Sequence, residues 1–403
     1  MIEGHGDDLY KYDGIKMNSS SNTNCYADLK PLEHHLKTVL AKAIASYPEP
    51  QPKRLEALIA DRSGILPEEV CVTSGATEAI YLISQTFKGS RSVIPQPTFS
   101  EYADACRIHG HIVSVGATAA GGYETRPYID DEQLQNSSGR AAATGGYETS
   151  PYIDDVQLQS CSGRATARVA PTVWLCNPNN PTGKVIPKDI LEETISKSEG
   201  TLFVVDQSYE SFTLCPLLTD KEAVKMGNVL LIHSMTKRYA IPGLRLGYIV
   251  GDKELLDRVR AQRMPWSVNS LAIEAGIFLT NNSKYERPQG SLGVKSEELR
   301  VKSYGRPQGS PLQESQRLRN KLNEIPGIET FDSDTHFFLA RLTNGKASDL
   351  KEYLARQHGI LIRDASNFPT LDQSYFRIAA RIPEENNLLI EAIKMFLNTH
   401  NAQ

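Results

Sequence analysis

Apolar runs of strand length alternate with segments of helical period along the first 280 or so residues. "EVCVTSG" reads as a strand that ends in a glycine turn, and "ATEAIYLISQTF" as the helix that follows it. "RSVIPQP" leads into helical "SEYADACRIHG", and "HIVSV" is the next strand. Then come the strand "TVWLCNP", the helix "KDILEETISK" and the strands "TLFVVDQSY" and "NVLLIHS". This alternation predicts an α/β fold, a mostly parallel sheet covered by helices on both faces. In such sheets ligands bind beyond the carboxyl ends of the strands. "DKELLDRVRAQR" and "SLAIEAGIFL" predict helices that lead to a second part. From about residue 313 the texture changes: a helix ("ESQRLRNKLNEI"), strands "FFLARL", "GILIRDA" and "YFRIAAR", and a closing helix ("PEENNLLIEAIKMFL") predict a smaller α+β domain.

Two regions break the pattern. Residues 121–144, "GGYETRPYIDDEQLQNSSGRAAAT", recur almost intact at 145–168, and "RPQGS" at 287–291 returns at 306–310. One duplication is too few units for a solenoid. Rich in Gly, Ser, Thr and charge, these stretches read as expanded surface loops that do not build the site. The boundaries that follow are an N-terminal segment 1–45 that contributes to the site and the small domain, and a large domain 46–283 with the duplicated loop 117–168 inserted. A repeat-bearing insertion 284–311 and the small domain 312–403 complete the chain.

At 403 residues the chain exceeds what one core usually organises, which supports two domains. A net charge of -4 argues against nucleic acid or a polybasic membrane contact. No stretch approaches the roughly 18 apolar residues of a membrane span, and the start is acidic and polar. The six cysteines are scattered, so reduced thiols in a cytoplasmic protein are expected. The nine histidines lack HxxxH or HExxH spacing, and no metal site is expected.

The candidate chemistry gathers at predicted strand ends. "VTSGATEAI" sets Gly75, Ala76 and Thr77 at a strand-to-helix turn, where free backbone N–H groups and the helix dipole suit a phosphate. An ordinary helix cap is the competing reading. "NPNNPTG" (177–183) is a proline-stiffened loop that fixes amide side chains at the mouth of the sheet. Asp206 closes a buried strand, which is costly unless it meets a cation or a protonated nitrogen, and Tyr209 follows three residues later. In "HSMTKRYAIPGLRLGYIVG" (233–251), Ser234, Lys237 and Arg245 crowd among apolar residues. One ligand uses all of these: pyridoxal 5′-phosphate. Its aldehyde needs a lysine amine for a Schiff base, its ring nitrogen a carboxylate, its 3-oxygen a hydrogen bond from Tyr209 or Asn180, and its phosphate backbone N–H groups, Ser234 and Arg245.

The ordered set SGATE, PxFxEY, NPNNPTG, DQSY, SxTK and GLRLGY resembles the fold-type I aminotransferase superfamily, class I/II. The resemblance covers nearly the whole chain outside the repeated regions. It implies a large cofactor-binding domain with a mostly parallel seven-stranded sheet between helices, and a smaller α+β C-terminal domain. It further implies Lys237 as the Schiff-base lysine, Asp206 at the pyridine nitrogen, Asn180 and Tyr209 at the 3-oxygen, and Tyr102 stacked on the ring. Ala76, Thr77, Ser234 and Arg245 would surround the phosphate. Tyr47 would reach the neighbouring subunit's cofactor, so a homodimer with shared sites is implied.

Within the superfamily, "GHGDD" (4–8), "TKRYAIPGLRLGY" and "RMPWSVNSLA" (263–272) resemble the threonine-phosphate decarboxylases of cobalamin biosynthesis. That resemblance implies decarboxylation of L-threonine O-3-phosphate to (R)-1-aminopropan-2-yl phosphate, with His5, Asn180, Arg363 and Arg377 on the substrate. An aminotransferase acting on histidinol phosphate or a similar phosphorylated amine has the same skeleton and stays open at this point. So does a non-catalytic cofactor-binding paralogue.

Overall fold

The computed structural model describes residues 8–116, 171–282 and 311–400. The duplicated segments expected as loops, 121–168 and 287–310, and the candidate His5 lie outside the described residues. In chain order the strands are β1 (Met17–Asn18), β2 (Val70–Thr73), β3 (Arg91–Pro95), β4 (Ile112–Gly116), β5 (Thr172–Cys176), β6 (Leu202–Asp206), β7 (Val229–Ser234) and β8 (Gly247–Gly251). The C-terminal part adds β9 (Ile328–Thr330), β10 (Phe337–Leu342), β11 (Ile360–Leu361), β12 (Arg363–Asp364) and β13 (Tyr375–Ala379).

The first part is built on a seven-stranded sheet in the order β2-β8-β7-β6-β5-β3-β4. Every strand but β8 runs the same way: β4, β3, β5, β6 and β7 pair in parallel, and β8 lies antiparallel between β7 and β2. The central strands are buried at every position, as their continuous Val, Leu, Ile and Phe runs require of strands covered on both faces. One covering layer packs on Phe203, Val205, Leu231 and Val250, and the other on Trp174, Val204, Leu230 and Ile249. At about 25 cal/mol per Å² of buried apolar surface, two such layers dominate the stability of this part. Helices Lys30–Ala45 and Lys53–Ser63, and the strand β8, are additions to the elements expected from the hydrophobic pattern.

The C-terminal part is a four-stranded antiparallel sheet, β12-β13-β10-β9, with helices Pro311–Asn323, Ala347–Tyr353 and Pro383–His400 packed through Leu318, Leu350, Leu389 and Ile393. "GILIRDA" forms two short strands rather than one. β11 pairs in parallel with β1, whereas β12 joins β13, and the chain changes sheets at buried Ile362. The N-terminal segment is thereby hydrogen-bonded to the C-terminal part. Among the described residues no helix is long and apolar enough to cross a membrane.

Candidate active site

Strands β2, β3, β5, β6 and β7 deliver their carboxyl ends to one edge of the sheet. The antiparallel β8 starts at that same edge, with Gly247 in register with both Thr73 and Ser234. Arg245, two residues before β8, is therefore set down beside the Gly75 turn and the Ser234–Lys237 segment. Strand order reverses between β3 and β5, the switch point at which α/β sheets open a crevice. A pocket opens at this edge, with about 960 Å³ of space, part of it open to solvent. Ala76, Thr77, Tyr102, Asn180, Asp206, Tyr209, Ser234, Lys237, Arg245, Arg363 and Arg377, each singled out from the sequence, all line it.

One corner of the pocket is cationic and rich in backbone N–H. Helix Gly75–Thr86 points its first turn there, where the amides of Ala76 and Thr77 precede the helical hydrogen-bond ladder. Gly75 itself adopts φ 84°, and a Cβ on it would stand 2.7 Å from Arg245 Nη2. Its part is to leave room for the guanidinium rather than to line the pocket. Arg245 also takes a left-handed φ, 55°, and donates to Pro242 O at 3.3 Å. Ser234 Oγ lies 2.7 Å from Thr236 Oγ1. Close packing of β8 holds the corner together: a Cβ on Gly247 would meet His233 O at 2.7 Å and Ala76 N at 2.8 Å.

At the pocket floor Asp206 ends β6, 4% exposed. It accepts hydrogen bonds from Tyr102 OH (2.7 Å) and from Ser208 N (2.8 Å). Burial raises its pKa, while the hydrogen bonds from Ser208 and Tyr102 and the charge of His233 act the other way. Tyr102 packs its ring on Trp174, with centroids 5.9 Å apart, and edge-on to Phe99. Its hydroxyl is thus committed to Asp206. The asparagine loop divides its labour. Asn177 exchanges hydrogen bonds with Ile186, and Asn179 bonds Thr98, Pro97 and Thr182, so both fix the loop itself. Asn180 is left to face the pocket. Tyr209 sits edge-on to Phe337 of β10, accepts from Asn22 Nδ2 at 3.4 Å, and has its pKa pushed up to about 12, chiefly by burial.

The C-terminal part supplies two arginines. Arg363 and Arg377 are register partners across β12 and β13, both buried. Each guanidinium rests on an aromatic ring, Arg363 on Phe368 and Arg377 on Phe337. Arg377 donates to Asn180 Oδ1 and, at 2.6 Å, to Ser20 O, both neutral oxygens. Burial lowers its pKa to about 10, with the neighbouring Arg363 charge adding to the effect. Two buried like charges at one wall favour an anion between them.

Other candidates stand elsewhere. Tyr47 is 88% exposed and outside the pocket of its own chain, with its ring 5.8 Å from that of Trp266. The Met264–Asn269 motif is likewise away from the pocket, Met264 being 72% exposed. The sequence reading missed Ser20, Ser21, Asn22, Phe99 and Phe368, which also line the site. For Ser20 to Asn22 the signal was present but misleading, because a run of serines and asparagines resembles a solvated loop.

These residues fit pyridoxal 5′-phosphate. A helix N-terminus and a fixed guanidinium suit its phosphate, a buried carboxylate its ring nitrogen, a phenol and an amide its 3-oxygen, and a lysine its aldehyde. Asn22 Oδ1 and Arg377 Nε are buried without a hydrogen-bond partner, polar capacity that a bound group can use.

The family model of aminotransferase class I and II matches residues 14–125 and 153–393, passing over 126–152 inside the duplicated segment. The chain belongs to this family, and its cofactor is pyridoxal 5′-phosphate. A threonine-phosphate decarboxylase of Salmonella typhimurium is 27% identical over 366 residues, 88% of this chain and 84% of that protein. A histidinol-phosphate aminotransferase of Thermoanaerobacter pseudethanolicus is also 27% identical, over 365 residues, 89% of this chain and 86% of that protein. The crystal structure of an L-threonine-O-3-phosphate decarboxylase from Porphyromonas gingivalis matches with a TM-score of 0.73 at 33% identity, covering 95% of this chain and 99% of that one.

Proposed function

We propose that the protein decarboxylates L-threonine O-3-phosphate to (R)-1-aminopropan-2-yl phosphate, as a cytoplasmic homodimer serving cobalamin biosynthesis. The observation that carries this reading is the pair of buried arginines, Arg363 and Arg377, facing one pocket from adjacent strands. Threonine phosphate presents two anionic groups, a carboxylate and a phosphate, and two fixed guanidinium groups match them. Histidinol phosphate has a phosphate but no carboxylate. The 33% identity to a decarboxylase of known structure supports the same choice.

The bound cofactor supplies an electron sink for the pair left at the substrate's α-carbon. Lys237 carries its aldehyde, Asp206 keeps its ring nitrogen protonated, and Asn180 with Tyr209 holds the 3-oxygen. Tyr102 covers the ring, and Ala76, Thr77, Ser234 and Arg245 hold its phosphate. Arg377 and Arg363, with His5 and Asn180, orient the substrate by its charged ends. Orientation would decide the outcome, because these residues would select which bond at the α-carbon is presented for cleavage. Arg363 and Arg377 would hold the carboxylate where it can leave as carbon dioxide, and Lys237 Nζ would hold the proton that takes its place at the α-carbon.

The test is to mix cofactor-loaded protein with L-threonine O-3-phosphate and measure carbon dioxide, with histidinol phosphate and 2-oxoglutarate in a parallel assay for glutamate. Carbon dioxide without glutamate is the expected result. Glutamate from histidinol phosphate alone would replace the decarboxylase with the aminotransferase. Silence in both, from protein that binds the cofactor, would leave the non-catalytic paralogue.

A further inference from the structure

A buried charged cluster stands behind the pocket, one residue from Ser234. His233 of β7 is 3% exposed. Its Nε2 lies 3.0 Å from Asp220 Oδ1 and its Nδ1 3.5 Å from Glu210 Oε2. The ring stacks on Tyr248 of β8, with centroids 4.6 Å apart and planes inclined by 20°. Ser63 donates to the other oxygen of Asp220. Arg238 and Tyr239 are the further charged and titratable groups near Tyr248. Nδ1 makes no hydrogen bond, and Glu210 faces it as a charge only, but a carboxylate beside each nitrogen still favours a ring that carries both protons, because a neutral ring would turn a lone pair towards one of them. Burial by itself lowers the pKa of His233, but Glu210 and Asp220 outweigh it and push the value up to about 10.

The placement of this cation ties together two parts of the site. Glu210 begins the short 3-10 turn directly after Asp206, Ser208 and Tyr209. Ser208 holds the Asp206 carboxylate through its backbone N–H, and Gln207 N donates to Ile232 O, next to His233. Strand β7 carries His233 itself and runs into the Ser234–Lys237 segment. A contact between His233 and Glu210 therefore spans from one group of pocket residues to the other.

We propose that His233 is a positioning residue: a buried imidazolium that locks the Asp206–Tyr209 turn to the Ser234–Lys237 segment and sets a fixed positive charge beside the cofactor pocket. The proposal rests on the cofactor roles assigned above to Asp206, Ser234 and Arg245.

The test has three parts. In 15N-histidine-labelled apoprotein at pH 7.5, His233 should show both ring nitrogens protonated. In H233Q, the dissociation constant for pyridoxal 5′-phosphate, read by tryptophan fluorescence, should rise about tenfold. The pH midpoint of the bound cofactor's visible absorption should move up by about half a unit, since removing a nearby cation favours protonation. E210Q should also weaken cofactor affinity but, because it removes an anion, should not raise the spectral midpoint, and the double variant should bind no worse than H233Q alone. A neutral His233 ring in the labelled protein would overturn the proposal. So would a folded H233Q with wild-type affinity and spectral midpoint. D206N and R245A separate the two levels. If they lose affinity while H233Q does not, only the positioning role fails; if they too bind as wild type, the cofactor assignments fail and this proposal falls with them.

Discussion

Lys237 sits on the short helix Met235–Arg238 that begins where β7 ends, and its side chain lines the pocket rather than the apolar core. Lys237→Ala should therefore melt within a degree or two of the wild type while turnover falls by about 10³-fold or more. A thermal melt and a carbon dioxide assay on the same preparation check both halves. Two histidines make a different prediction, about pH. His233, at about 10 in the folded protein against an ordinary 6.5, binds its proton more tightly when folded. Its contribution is complete below about pH 6.5 and is lost as pH rises through about 10, at up to about 1.4 kcal/mol per unit. His336 is the opposite case: buried, stacked on Phe212, and lowered to about 3 mainly by burial and then by Arg377. Below about pH 6.5 the unfolded chain takes up a proton there that the folded one refuses, so stability falls towards acid. The urea midpoint of the apoprotein should thus peak near pH 6 to 7. H233Q should flatten the alkaline limb, and H336F the acid limb.

At the scale of elements, β8 does more for the site than any periodicity revealed. Its direction brings Arg245 to the edge where the six other strands end, and Gly247 lets it lie against the first peptide of helix Gly75–Thr86. Because the atoms a Cβ would meet there are backbone, with His233 O at 2.7 Å, Gly247→Ala cannot be absorbed by a side-chain rotation. It should destabilise the protein by about 2–4 kcal/mol and weaken cofactor binding, read from a urea titration and a cofactor titration. Nothing local announces this strand. "GYIVG" is a five-residue run closed by glycines, and its pairing with β2 and β7 is a long-range fact. Asp206, Tyr209, Ser234 and Lys237 were legible for the converse reason: long buried runs fix where parallel strands end, and ligands gather at those ends. The Ser19–Asn22 segment was illegible because distant backbone is what fixes its start. Ser19 N donates to Leu361 O, and Ser19 O accepts from Ala379 N, more than 340 residues away. The break at Ile362 has the same origin, since which sheet each half of "GILIRDA" joins is decided by β1 and β13.

At the scale of the whole molecule, one of the apolar patches left uncovered among the described residues lies beside a residue assigned to the site but absent from the pocket. Ile44 is 74% exposed, Tyr47 88%, Met264 72% and Trp266 49%. The Tyr47 and Trp266 rings lie together, and Trp266 N donates to Pro50 O, so helix Lys30–Ala45, its following loop and the Met264–Trp266 turn form one face. Such a patch on a chain with a net charge of only -4 is the kind that a second copy covers. If Tyr47 completes the partner's cofactor site, sedimentation should give the mass of two chains, and Y47A should bind the cofactor weakly although Tyr47 touches nothing in its own pocket. The decisive mixture is Y47A with K237A, each with greatly reduced activity alone. After exchange of subunits, a hybrid dimer holds one site with Lys237 from one chain and Tyr47 from the other, and one site lacking both. Equal mixing should then restore about a quarter of wild-type activity, since half the dimers are hybrids with one intact site of two. Recovery demands that the two residues work across chains. A mixture no more active than the sum of its parts, from subunits shown to have exchanged, would place Tyr47 outside the partner's site and leave the exposed face to some other use.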